Sequence, residues 1–211
     1  MKQDTPLYQA TIEKTINCPQ CGDSLPLYFR WTKLVQCPSC KSSIFLETLG
    51  AKVIGEASEL SPEPSLLKLH EAIRIGTKTY LPLGKIRYSY GRGFWEEWFL
   101  RDTRNKEYWL SIDEGDFVLE SKITTPDKLK NFDALKMGRK YGNYLVTELD
   151  EGECVGFAGE LPKMVTVGAK HRYAHLSGTH ASLMTVEQSP EGVEVYSGEW
   201  IDPFSIEKVY G

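Results

Sequence analysis

No stretch of this 211-residue chain approaches the roughly 18 consecutive apolar residues that a membrane-spanning helix requires. The opening Met1-Lys2-Gln3-Asp4-Thr5-Pro6 has no apolar run behind a basic cluster, so a secretory signal is not read there and a cytoplasmic location is expected. A basic excess is also missing. Residues 1–50 carry five Lys/Arg against four Asp/Glu, a formal +1, and the net −4 of the whole chain leaves −5 for residues 51–211. Neither part has the positive footprint that backbone-driven nucleic-acid binding relies on, so nucleic acid is a disfavoured partner. Catalytic signatures are absent as well: there is no phosphate loop, no serine-nucleophile elbow and no His-Glu-x-x-His. Gly91-x-Gly93 lacks the third glycine and the strand-to-helix setting of a dinucleotide fingerprint.

Cysteine is scarce and concentrated. Four of the five cysteines form Cys18-Pro19-Gln20-Cys21 and Cys37-Pro38-Ser39-Cys40, a C-x2-C-x15-C-x2-C pattern of the four-cysteine zinc type. Two intervening residues let one tight turn present both sulfurs to a single ion at about 2.3 Å. Gly22, just after the second cysteine, permits the positive φ that such a knuckle uses. A cytosolic compartment disfavours disulfides, so one structural Zn²⁺ held by Cys18, Cys21, Cys37 and Cys40 is expected. Full thiolate coordination leaves no open position for water, and a ribbon of about 35 residues buries too little surface to fold without its metal.

Composition divides the chain into a zinc ribbon at 12–50, a Ser/Pro-rich linker at 51–65, a first β module at 66–124 and a second at 131–211, with the two modules also readable as one domain. Ile86, Tyr88 and Tyr90 alternate with Lys85, Arg87 and Ser89, the period of a half-buried strand. Gly91-Arg92-Gly93, Asp102 to Asn105 and Asp113 to Asp116 are turns between this strand, Phe94–Arg101, Glu107–Ile112 and a run bearing Phe117, Leu119 and Ile123. Further strands are expected at Tyr144–Leu149, Cys154–Phe157, Met164–Val167, Tyr173–Leu176, Ser182–Gln188 and Val193–Gly198, the last two joined by Ser189-Pro190-Glu191-Gly192. Helix is confined to a short turn near Leu66–Ala72 and another after Pro126 capped by Thr125. Ile73-Arg74-Ile75-Gly76 and Leu135-Lys136-Met137-Gly138 are similar enough to suggest a duplication. The expected class is mainly β: a four-cysteine ribbon followed by one or two antiparallel, barrel-like modules.

Three weaker constellations each allow two readings. On a strand, Trp95, Glu97 and Phe99 face one way and Glu96, Trp98 and Leu100 the other, which fits either an aromatic contact surface or a strand buried on both sides. Glu96 and Glu97, pointing to opposite faces, cannot act as an acid/base pair on one bond. His171, His175 and His180 invite a metal, but His171 and His175 on one extended face lie roughly 13 Å apart, too far for one ion, so surface or hydrogen-bonded histidines fit better. Cys154 reads as a small buried hydrophobe rather than a nucleophile.

The Cys-Pro-x-Cys-Gly knuckle, the Ile75-Gly76 turn, Trp95-x-Glu97-Trp98-x-Leu100, Tyr108-Trp109-Leu110 with its acidic turn, Gly159-Glu160-Leu161-Pro162 and Tyr196-Ser197-Gly198 together resemble the bacterial domain-of-unknown-function family 4178. That resemblance implies no established activity, a frequent association with membrane-stress or polyamine-synthesis genes, and an accessory role; it transfers no catalytic residue. The leading expectation is a zinc-stabilised, non-enzymatic adaptor for another protein, one that can be membrane-associated, with Trp95, Trp98, Tyr28 and Trp31 as contact candidates. A nucleic-acid-binding ribbon and an enzyme using Glu160, His171 or His175 are the alternatives.

Overall fold

The computed structural model describes residues 10–47, 50–54, 60, 65–189 and 192–209. The opening residues, most of the expected linker and the tip at Pro190-Glu191 lie outside them. Five short strands make the ribbon: β1 (Lys14–Asn17), β2 (Ser24–Leu27), β3 (Leu34–Gln36), β4 (Ser43–Glu47) and β5 (Gly50–Val53). They are followed by β6 (Ile73–Ile75), β7 (Lys78–Ser89), β8 (Phe94–Asp102), β9 (Glu107–Asp113) and β10 (Asp116–Ile123). After two 3₁₀ turns come β11 (Lys140–Tyr141), β12 (Tyr144–Leu161), β13 (Lys170–Ser177), β14 (Ser182–Ser189), β15 (Gly192–Ile201) and β16 (Ile206–Lys208).

Antiparallel pairing runs β7-β8-β9-β10-β15-β14-β13-β12 and returns from β12 to β7, so eight strands close into a barrel. The strands expected at 66–124 and at 131–211 therefore belong to one sheet, joined at β10–β15 and at β12–β7. Eight strands enclose an interior about as wide as the side chains that fill it. The closing seam ends where Gly84 pairs with Gly159. A Cβ on Gly84 would fall 2.1 Å from the carbonyl oxygen of Glu160, and one on Gly159 would fall 2.3 Å from that of Leu83. Only glycine allows the two backbones this close, and directly beyond the pair β12 leaves β7 and bonds to β3, Glu160 to Val35 and Leu161 to Leu34.

Each barrel strand alternates between lumen and outer face. Ile86, Tyr88, Trp95, Phe99, Trp109, Cys154, Phe157, Tyr173 and Tyr196 form the inner cluster, into which the ribbon inserts Phe29 and Leu34. Trp98, Leu100, Tyr108, Leu110 and Phe117 point outward and are covered by Leu67, Ile73 and Tyr80. A third cluster seats Leu129, Phe132 and Leu135 on Val146, Ala174, Leu176, Val186 and Val195. β8 is thus buried on both faces, as its two apolar stripes allow.

Several local expectations change. The two segments at 144–149 and 154–157 are one strand, β12, with irregular register at Val146/Glu148 and at Cys154/Gly156. Gly152 continues it because the Trp95 ring lies where a Cβ would be, 2.1 Å away. Met164–Val167 is not a strand: the chain between β12 and β13 crosses the barrel end, with Met164 and Val165 packed on the inner cluster. Leu66–Ala72 forms turns rather than helix. Pro126, not Thr125, precedes the 3₁₀ turn Asp127–Leu129, and the Thr125 hydroxyl instead donates to the Val193 carbonyl. Ile73–Ile75 is a strand whereas Leu135–Gly138 is a turn, so the two similar tetrapeptides do different jobs.

Candidate functional site

The four-cysteine knuckles are built alike. In the first, Gly22 N–H donates to the Cys18 carbonyl and Cys18 N–H to Asp23; in the second, Lys41 N–H donates to Cys37 and Cys37 N–H to Ser42. Gly22 has φ +81°, as expected, and Lys41 at the matching position has φ +62°. The sulfurs of Cys18 and Cys40 are 3.6 Å apart and those of Cys21 and Cys37 3.8 Å, and all four lie within 4.8 Å of one another. A tetrahedron with bonds of about 2.3 Å has edges of about 3.8 Å, so this donor set fits one thiolate-bound metal ion.

Protons compete with a cation for the cluster. Ser42, whose hydroxyl lies 3.2 Å from the Cys40 sulfur, lowers that thiol to about 6. The Asp23 N–H favours the Cys21 thiolate, but burial and the other three sulfurs outweigh it and push Cys21 up to about 12; burial likewise raises Cys37. A cation must displace those protons, so metal binding weakens in acid.

Lys41 gives a direct check on the knuckle. A side chain in the left-handed region costs roughly 1–2 kcal/mol that glycine avoids, part of which is returned as unfolded-state entropy. Lys41→Gly should therefore tighten metal binding about fivefold, or roughly 1 kcal/mol, in competition with a chromophoric chelator. Unaltered or weaker binding would show that the backbone at 41 is unstrained.

Ribbon and barrel meet at Glu160. Its carboxylate accepts the backbone N–H of Tyr28 (2.9 Å) and Phe29 (3.2 Å) and the hydroxyl of Thr32 (2.7 Å). Burial raises its pKa, and these three donors pull the other way. With its oxygens thus engaged, Glu160 ties the ribbon to the barrel.

The lumen holds a second concentration of chemistry. Trp95, Glu97, Trp109, Ser111, Asp113, Glu120, His171, Tyr173, His175, Thr185, Glu187 and Tyr196 surround a cavity of about 40 Å³. His171 and His175 share the inward face of β13, as the strand period requires. His175 Nδ1 meets Glu148 at 2.8 Å; burial lowers its pKa, but Glu148 and the other carboxylates outweigh this and raise it. His171 is stacked on Tyr88, with ring centroids 4.8 Å apart, and its Nε2 lies 3.9 Å from Glu187 Oε1 with no hydrogen-bond partner among the described residues. Lys163 reaches over the Trp109 ring to Glu187 Oε2 at 3.1 Å, and Glu187 and Glu97 raise its pKa against the effect of burial. Burial and the Glu187 charge raise Glu97, and burial pushes Glu120 up to about 7. Cys154 is buried, which pushes its thiol up to about 11 and makes it unreactive.

Of the four aromatic contact candidates, Trp95 and Trp98 are 6% and 2% exposed. They are core residues: the Trp95 N–H donates to Glu97 inside the barrel and the Trp98 N–H to Glu96 outside it. A surface at these two is ruled out by their packing. Tyr28 is half-buried against His70, while Trp31 is 59% exposed beside Arg30. Trp200 (40%) and Phe204 (93%) are exposed aromatics that sequence reasoning did not nominate. Trp200 ends an alternating strand and Phe204 follows Asp202-Pro203, where an outward aromatic leaves no pattern. Among the described residues no helix is long and apolar enough to cross a membrane.

A model of a domain of unknown function (DUF4178) matches residues 68–203, well over half of the chain. The chain belongs to this family. No curated protein and no solved structure matches it. The matched span takes in all eight strands of the barrel and with them the lumen cluster of this chain, whereas the four cysteines lie outside that span and reach the barrel through β3 and Glu160.

Proposed function

We propose that the chain is a zinc-stabilised, non-enzymatic adaptor that docks a protein partner on the ribbon, beside its junction with the barrel. Zinc is the metal best suited to the cysteine cage, because four thiolates at tetrahedral spacing satisfy a d¹⁰ ion completely and leave no site for substrate. The observation that carries the docking role is Trp31. It stands 59% exposed, its Arg30 neighbour stacks on it, and Phe29 beside it is wholly buried against Phe99 of the barrel. A large aromatic held outward on a braced backbone suits an interface anchor, since little side-chain freedom is lost on binding. Membrane-associated proteins are one class of partner compatible with this reading.

The test is capture of an identified partner by the tagged wild type and by Trp31→Ala. Retained metal and an unchanged circular dichroism spectrum, with capture reduced at least tenfold, are expected. Equal capture by the two would remove the assignment, and capture that survives Trp31→Ala but is lost in Phe204→Ala would move the contact to the other end of the chain.

A further inference from the structure

We infer that the barrel lumen contains a second metal site, distinct from the cysteine cage, in which Glu97, His171 and Glu187 bind a first-row divalent cation such as zinc, manganese or iron(II). The three residues come from β8, β13 and β14, all are buried, and one donor atom of each lies within 4.8 Å of the other two. For any three such atoms there is a point no more than 4.8/√3, about 2.8 Å, from each. Side-chain shifts of less than an ångström then reach the 2.0–2.2 Å of a metal bond to nitrogen or carboxylate oxygen.

The histidine is the deciding member. His171 is buried, 9% exposed, yet its solvent-shielded Nε2 has no hydrogen-bond partner among the described residues. Buried ring nitrogens are nearly always satisfied, because leaving one unpaired costs about 1–3 kcal/mol. The stacked Tyr88 ring holds the imidazole plane, with Nε2 3.9 Å from Glu187 Oε1.

The carboxylates are arranged as ligands with outer partners. Glu187 receives Lys163 on Oε2 and turns Oε1 toward His171; Glu97 receives the Trp95 N–H on Oε1. Such contacts orient the ligating oxygen, as secondary partners do in established metal sites. Two carboxylates and one ammonium leave a net −1, which a divalent cation reverses and Lys163 moderates. Size selects the occupant further. A cavity of about 40 Å³ takes an ion and a water but not an organic ligand, whose pockets start near 300 Å³. A wider cavity of about 210 Å³ shares His171 and Glu187 as part of its wall, and so offers a path to the ion. Three protein donors leave coordination positions open, unlike the closed cysteine cage.

Metal-stripped, fully reduced protein should be titrated with Co²⁺ alone. The first equivalent should produce the intense sulfur-to-cobalt charge-transfer absorption of the cysteine site. A second should bind without adding to that band and should quench the fluorescence of Trp95 and Trp109, which line the cavity. In His171→Gln and Glu187→Gln the first equivalent should remain and the second should weaken by about 100-fold or more. Saturation of the wild type at one equivalent overturns the site, as does a second equivalent unaffected by both variants. If either variant fails to retain the first equivalent, Glu97→Gln, close in shape to the native side chain, replaces it, and the wild-type stoichiometry still decides.

Discussion

Replacing Cys37 by serine should release the cysteine-bound metal and unfold residues 12–50 while leaving the barrel folded. Cys37 is wholly buried and its sulfur closes one edge of the cage. Serine is a poor ligand for zinc, and the ribbon's own core is small: Leu25, Leu27, Val35 and Ile44 around two cysteines. Metal binding contributes on the order of 10 kcal/mol to such a fold, as much as burying these four aliphatic side chains at about 1.5–3 kcal/mol each, so the ribbon loses about half of its support with the ion. Amide protection across β1 to β5 should collapse in hydrogen exchange, and chelation of the wild type should reproduce the effect. The damage should also reach the barrel. Glu160 would lose the Tyr28, Phe29 and Thr32 donors, and Phe29 and Leu34 would leave the inner cluster, so the barrel transition should move down by several degrees. A Cys37→Ser protein with full metal content and intact ribbon protection would refute the closed four-thiolate cage.

The cage was legible in the sequence because its information is local. A two-residue spacer and a glycine after the cysteine specify a knuckle within one turn. The strands from 86 to 123 were legible for the same reason, since period-two alternation and polar turns need only neighbours in the chain. What the sequence hid is how distant strands meet. Closure of β12 on β7 joins residues about 70 apart through a Gly84–Gly159 contact, and neither glycine announces its partner. Trp95 and Trp98 show the same boundary: their alternation indicated two apolar faces, but whether water or protein covers the outer one depends on Leu67, Ile73 and Tyr80.

The lumen site was missed on similar grounds. Glu97, Glu120, His171 and Glu187 sit on four strands; in the sequence Glu97 stands out only beside Glu96 and His171 only beside the other histidines, and Glu120 and Glu187 do not stand out at all. A usable signal did exist. In Trp95-Glu96-Glu97-Trp98-Phe99 one glutamate occupies the slot between two inward aromatics, and Glu187 takes the slot next to the inward Thr185 on a strand whose other face carries Val186. An acid in a core-facing slot is costly unless it is partnered or neutral, so it marks a site even when the partner is unknown. The distance argument against His171 and His175 sharing an ion remains sound: each has found carboxylates from other strands instead.

Glu120→Gln should make the protein more stable at pH 8 and leave it unchanged near pH 4.5. Burial is the main cause that lifts Glu120 from 4.5 to about 7; the Thr185 hydroxyl and His175 pull it down, and Glu187 and Glu97 add to the rise. The carboxyl is almost completely enclosed, with the Thr185 Oγ1 at 2.8 and 3.0 Å from its two oxygens. Its pKa is thus higher in the folded protein than in the unfolded chain. The folded state holds the extra proton between about 4.5 and 7, so this group's favourable contribution is complete below 4.5, declines as the pH rises to 7, and is absent above. Raising the carboxyl from 4.5 to about 7 corresponds to about 3 kcal/mol at pH 8. Glutamine mimics the protonated acid, keeps an oxygen for Thr185 and carries no charge to bury. Its Tm should exceed that of the wild type by about 5–10 °C at pH 8, with the gap closing as the pH falls toward 4.5. A lower Tm for the variant at pH 8, or a gap that does not vary with pH, would mean that Glu120 is ionised in the lumen and that a positive charge near it, from His175, Lys163 or a bound cation, outweighs its burial.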